Sequence, residues 1–141
     1  MTELLAALVV VPICAAVLPP LAVLVREESG WAIATVALAV QTALAVTLAV
    51  LVVSDGPLSY EVGDIAPPFG IELVADGLSM PFVVLVATVS FALTAYTRRG
   101  GPRSNPFYSL YLLLVAGLTG VCLTGDVFNL YVFLEISGLA A

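Results

Sequence analysis

Histidine and lysine are both absent from this sequence of 141 residues, and charge of either sign is scarce. Only 10% of residues are charged, against roughly a quarter in an ordinary soluble domain. Each shortage excludes a chemistry. Without histidine there is no Ser-His-Asp relay and no histidine-based metal centre. The two cysteines, Cys14 and Cys122, stand alone in separate apolar runs, so they read as small buried hydrophobes and not as a disulfide or a metal pair. The four positive charges, all arginines, form no basic patch for phosphate, so no nucleic acid is expected. Gly100-Gly101 is followed by Pro102 and lacks the spacing of a phosphate loop. No cofactor and no metal is expected.

What is abundant is hydrocarbon. Hydrophobic residues make up 62% of the chain, too many for a water-facing surface, so the bilayer is the natural solvent. The N-terminus carries Glu3 and no basic residue, and its apolar run is too long for the core of a signal peptide. A spanning helix needs about 20 mostly apolar residues. Five runs come near this, at about 4–25, 31–53, 77–97, 107–124 and 127–141. The expected fold is all-α, an integral membrane protein of about five transmembrane helices in a single domain.

Local signals refine this outline. Pro12, Pro19 and Pro20 interrupt the first run; membrane helices tolerate proline where neighbours satisfy the freed carbonyls, and the pair at 19–20 is placed to kink or unwind its end. The alanine-rich second run spaces small residues by four, Ala39 with Ala43 and Ala45 with Ala49, which suits close helix packing. Trp31 fits an interfacial aromatic belt. Leu58-Ser59-Tyr60-Glu61-Val62 and Ile71-Glu72-Leu73 alternate apolar and polar, which predicts a small β-hairpin between helices 2 and 3. Gly63-Asp64 is a turn candidate and Asp76 a helix N-cap candidate.

Arginine placement orients the bundle. Arg26 lies between the first two runs; Arg98, Arg99 and Arg103 lie between the third and fourth. These connections share one side of an up-down bundle. The positive-inside rule then places them in the cytoplasm, with the N-terminus and the hairpin outside.

One residue is out of place. Glu135 follows Asp126 by nine positions, about 13–14 Å along a helix. With Asp126 at a membrane surface, Glu135 falls near the middle of a core about 30 Å thick. An ionised carboxylate there costs at least about 2.5 kcal/mol, so it is either protonated or held by a cation. This chain has no obvious cation to offer, because every arginine is in a connection. Intramembrane ionisable groups are functional by default; the structural alternative is a displaced or half-inserted helix. Tyr131 lies one turn before Glu135 and Phe128 one turn before that, a stripe that alone reads as packing. Asn129 and Ser137 lie off that line.

The run from Gly125 to Ser137, GDVFNLYVFLEIS, resembles the antiporter-like membrane subunits shared by Mrp-type sodium/proton antiporters, respiratory complex I and membrane-bound hydrogenases, and most closely the D-type subunit of the Mrp antiporters. The stretch from Tyr60 to Ser79, with PPFGIEL and Asp76-Gly77-Leu78-Ser79, resembles the same family's hairpin and third-helix entry. The resemblance implies a multi-pass protein of a prokaryotic plasma membrane that moves protons and monovalent cations, a transporter subunit and not an enzyme. Glu135 occupies the position of the family's fifth-helix glutamate, a key group in translocation. Asp126, Asn129 and Tyr131 fall in the same motif as supporting positions.

The family pairs its fifth-helix glutamate with a lysine on a later helix. This chain contains no lysine and resembles only the first five of about fourteen helices. It therefore reads as the N-terminal fragment of a longer subunit, working beside other membrane subunits, one of which supplies the intramembrane lysine. Two other readings stand beside the antiporter. One is a redox-driven proton pump of the complex I or hydrogenase kind; the other is a non-transporting scaffold or assembly fragment.

Overall fold

A computed structural model describes residues 3–22, 29–63, 70–102 and 104–141. In chain order the elements are α1 (Glu3–Ala22), α2 (Gly30–Asp55), β1 (Leu58–Val62), β2 (Ile71–Ala75), α3 (Ser79–Gly100), α4 (Asn105–Leu123) and α5 (Val127–Ala140). Four of them, α1 to α4, are long and apolar enough to cross a membrane. The fifth is apolar and has 14 residues, about 21 Å at the helical rise. Arg26, Arg103, Asp64 and the Pro67-Pro68-Phe69 segment lie outside the described residues.

Helix α1 packs on α4 and α2, α2 on α3, and α5 on α4. Two apolar clusters fill the bundle. One joins Leu5, Leu8, Leu48, Val52, Met80 and Leu123 to the hairpin through Leu73 and Ala75. The other joins Ala16, Ala34, Leu38, Tyr108, Leu112 and Val115 nearer the opposite end. Strands β1 and β2 pair antiparallel, Leu58 opposite Ala75 and Val62 opposite Ile71. The alternation read from the sequence is used as expected: Leu73 and Ala75 turn inward and are buried, and Glu61 turns out.

Proline does not unwind α1, which runs unbroken through Pro12, Pro19 and Pro20. Pro20 leaves the carbonyl of Ala16, four residues earlier, without its helical donor. The Ser109 hydroxyl of α4 donates to that carbonyl at 2.5 Å. A backbone acceptor freed within an apolar bundle is thus satisfied by a neighbouring helix.

Two sequence expectations change, and a third residue gains named contacts. Ala45 is buried and Ala49 partly so, but Ala39 and Ala43 face outward; spacing by four selects a face without saying which one meets a neighbour. Cys14 is exposed and Cys122 only partly buried, both free thiols. Trp31 turns inward. Its indole N–H donates to the Thr94 carbonyl of α3 at 2.8 Å, and the Arg98 guanidinium lies 4.8 Å from its ring centroid.

Asp76 caps α3 as expected. Its carboxylate accepts from the backbone N–H groups of Ser79 at 2.7 Å and Leu78 at 3.0 Å. Those donors, with the Ser79 hydroxyl, hold the Asp76 carboxyl below its ordinary value. Arg98 and Arg99 occupy the last turn of the same helix. Hairpin and arginine pair therefore sit at opposite ends of the bundle.

Candidate functional site

The site is built on α5, and α5 is set by its first residue. Asp126 has an extended backbone at the N-cap. Its carboxylate accepts from the N–H groups of Phe128 at 3.3 Å and Asn129 at 3.1 Å, two of the donors every helix start leaves free. Just before it, Gly125 donates its N–H to the Glu72 carbonyl at 2.9 Å, and Thr124 forms a bridge with Leu73. The α4–α5 corner is thus stitched to strand β2. A Cβ on Gly125 would stand 3.0 Å from the Val74 side chain, so glycine allows that approach.

The buried face of α5 is Asn129, Phe133 and Ser137, spaced by four. It meets two glycines of α4. A Cβ on Gly120 would collide with the Phe133 ring, and one on Gly117 with the Ser137 hydroxyl. Small residues thus let the backbones approach where lipid supplies no hydrophobic drive. At 100° per residue, Glu135 is turned 200° from Phe133 and from Ser137. It therefore points away from α4, and it is exposed on the outer surface of the bundle. Ser137 meets Gly117, six residues or about 9 Å before the end of α4. Glu135 accordingly lies beside the interior of the α4 span and not at its rim.

The residues singled out in the sequence separate into two groups. Tyr131, one turn earlier, lies on the same exposed face of α5 as Glu135. Phe128 is 71% exposed, so the Phe128–Tyr131 stripe packs on nothing within the described residues. Asp126 and Asn129 belong to the anchoring end, with Asn129 only 5% exposed. Its side-chain NH2 donates to the Thr124 hydroxyl at 3.1 Å. Thr124 was not legible as part of the motif; its one sequence signal is a hydroxyl two residues before a helix cap.

A second polar feature lies inside the bundle. Gln41 of α2 is fully buried, and its Nε2 donates to the Thr119 hydroxyl of α4 at 3.3 Å. Its Oε1 has no partner among the described residues. Thr119 and Gly117 lie 200° apart on α4, so Gln41 and Glu135 belong to opposite sides of that helix.

Apolar helices of membrane length, closely packed through glycine and sewn by a few side-chain bonds, define a polytopic α-helical membrane protein. No protein-family model matches the chain. It is 49% identical over 110 residues to the NADH-quinone oxidoreductase N-type subunit of Desulforudis audaxviator, covering 74% of this chain and 22% of that protein. It is 36% identical over 119 residues to the D-type subunit of the Na(+)/H(+) antiporter of Alkalihalophilus pseudofirmus, covering 82% and 23%. Among solved structures, a chain of the membrane-bound sulfane sulfur reductase, an archaeal respiratory membrane complex, matches with a TM-score of 0.90 at 29% identity, over 96% of this chain and 28% of that one. A chain of the Mrp complex from Dietzia sp. DQ12-45-1b matches with a TM-score of 0.84 at 26% identity, over 99% and 27%. The chain belongs to the family of antiporter-like membrane subunits. It spans about a quarter of the length of these relatives.

Proposed function

We propose that this chain is the N-terminal part of a membrane subunit of a multi-subunit monovalent cation/proton antiporter, and that Glu135 is one station of its proton path. The observation that carries this reading is the placement of Glu135. A carboxylate stands on the outward face of an apolar helix, beside the interior of its neighbour, with Tyr131 one turn away on the same face. A charge there needs a partner, and the face it occupies is left uncovered by the other described helices. The partner expected on that face is an intramembrane lysine from the rest of the subunit or from a neighbouring one. Glu135 accepts a proton when that cation withdraws and releases it when the cation returns, because a nearby positive charge favours the ionised form.

In this reading the hairpin end and the N-terminus face the outside and the arginine end faces the cytoplasm, in keeping with the positive-inside rule. Sodium is the cation proposed, as in the name of the relative from Alkalihalophilus pseudofirmus. A second reading, a redox-driven proton pump, is favoured by the identity to a quinone oxidoreductase subunit. It assigns Glu135 the same task with a different source of energy.

The test is Glu135→Gln in the full-length protein, assayed in everted membrane vesicles for proton movement on cation addition. Glutamine keeps the shape and cannot ionise. Loss of cation-dependent proton movement, with Glu135→Asp retaining a part of it, is expected. Unchanged movement in Glu135→Gln would remove this residue from the mechanism. Proton movement driven by a quinone-linked donor, and not by added cation, would select the redox pump.

A further inference from the structure

The anchoring of α5 shows how Glu135 is aimed. A helix behaves as a rigid rod over two turns, so the azimuth of one residue sets that of the next. Asn129 and Glu135 are six residues apart, which is 240° of rotation and about 9 Å of rise. Whatever holds Asn129 therefore holds the direction of Glu135.

Asn129 is held at its backbone N–H by the Asp126 carboxylate and at its side chain by Thr124. Its NH2 group donates to the Thr124 hydroxyl at 3.1 Å. The same hydroxyl donates to the Asp126 carbonyl at 3.1 Å and accepts the Asp126 N–H at 3.3 Å. Thr124 is not free to follow α5, because its backbone bridges to Leu73 and the next N–H bonds the Glu72 carbonyl. Strand β2 is in turn fixed from below. Leu73 and Ala75 are buried in the core. Beyond them, the Ser79 hydroxyl accepts the Asp76 N–H at 2.9 Å and reaches the Val74 carbonyl at 3.5 Å. An unbroken chain of short contacts therefore runs from the start of α3, through β2 and Thr124, to the buried face of α5.

We infer that Thr124 and Asn129 are positioning residues that couple the hairpin to the azimuth of α5 and so aim the Glu135 carboxylate. Neither touches Glu135. The catalytic part of the inference rests on the reading of Glu135 as a proton-carrying group; the mechanical part does not. A shift of β2, for example by a subunit pressing on the exposed hairpin, rotates α5 through the Thr124 hydroxyl.

The experiment separates the two parts. In the full-length protein, Cys14→Ala and Cys122→Ala, with replacement of any cysteine in the rest of the subunit, remove the native thiols, and Glu135→Cys places one reporter. Its rate of alkylation by N-ethylmaleimide is measured in membranes. Thr124→Val keeps the shape and loses the oxygen; it is expected to change that rate threefold or more, and Thr124→Ser to restore it. Asn129→Leu breaks the same bond from the other side and should give the same change, with no further change in the double variant. An unchanged rate in both single variants, additive effects in the double variant, or failure of serine to restore the rate would overturn the coupling. With native Glu135, Thr124→Val should also lower cation-dependent proton movement, and Thr124→Ser should recover it. If Glu135→Gln transports normally, the proton-path reading falls, and the alkylation rates still decide the positioning.

Discussion

Adding one methyl group at Gly120 reverses the usual sign of a glycine-to-alanine change. Inside a helix, alanine is favoured over glycine by up to about 1 kcal/mol, so Gly120→Ala would stabilise α4 if space allowed. Space does not allow it, because a Cβ there runs into the Phe133 ring. Overpacking of a filled contact costs about 1–3 kcal/mol. The difference, with the gain in propensity already subtracted, is a net loss of about 0–2 kcal/mol. Replacing the ring with Phe133→Leu opens the contact, and in that background Gly120→Ala should become neutral or stabilising. The coupling between the two sites is then about 1–3 kcal/mol, the range expected for residues in contact. Gly138 is the control, since a Cβ there meets nothing within 4 Å; Gly138→Ala should be stabilising in either background. The assay is unfolding of the purified protein in mixed micelles titrated with sodium dodecyl sulfate. Stabilisation by Gly120→Ala with Phe133 in place, or a coupling near zero, would refute the close approach of α4 and α5 on which the outward direction of Glu135 depends.

Other consequences are open to measurement. Gln41→Leu combined with Thr119→Val removes both partners of a buried hydrogen bond and an acceptor that has no donor among the described residues, and apolar replacement of both partners is close to neutral or stabilising. Stability in micelles should stay level or rise by about 1 kcal/mol, whereas a loss larger than that would mean that Oε1 is satisfied by bound water. Asp76 gives a pH signature. Its carboxyl lies below its ordinary value through the Ser79 N–H, then the Ser79 hydroxyl and the Leu78 N–H. A depressed folded-state value contributes stability at neutral pH that fades as pH falls through that value. Acid titration of the melting temperature should therefore be flatter in Asp76→Asn than in the native chain, and identical profiles would exclude the cap as a source of acid sensitivity.

The gross outline of this protein is legible in one sequence because bilayer thickness is a coarse ruler. Apolar runs of about 20 residues declare α1 to α4 without any knowledge of their packing. Alternation over Leu58–Val62 likewise declares a strand, because period 2 differs plainly from period 3.6. Orientation about the helix axis is another matter. Ala39 with Ala43 and Ala45 with Ala49 carry the same signal, yet only the second pair turns inward. In an apolar solvent both faces of a helix are hydrophobic, so the pattern that marks the core of a soluble helix is lost. The motif on α5 shows the same limit. Its glutamate stands out by chemistry alone, but the Phe128–Tyr131 stripe reads as packing and is exposed, while Asn129 and Ser137, off that line, are buried. The deciding residues, Gly117 and Gly120, sit on a different helix, and only contact reveals which partner they admit.

Trp31 is the only tryptophan in the chain. Its N–H is bonded to α3 and its ring carries the Arg98 guanidinium, so its fluorescence reports one event, the seating of the start of α2 on the end of α3. These five helices thereby carry a single optical gauge at the end opposite the hairpin. Any conformational change that travels the full length of the bundle can be followed there as a change in emission, with no label attached.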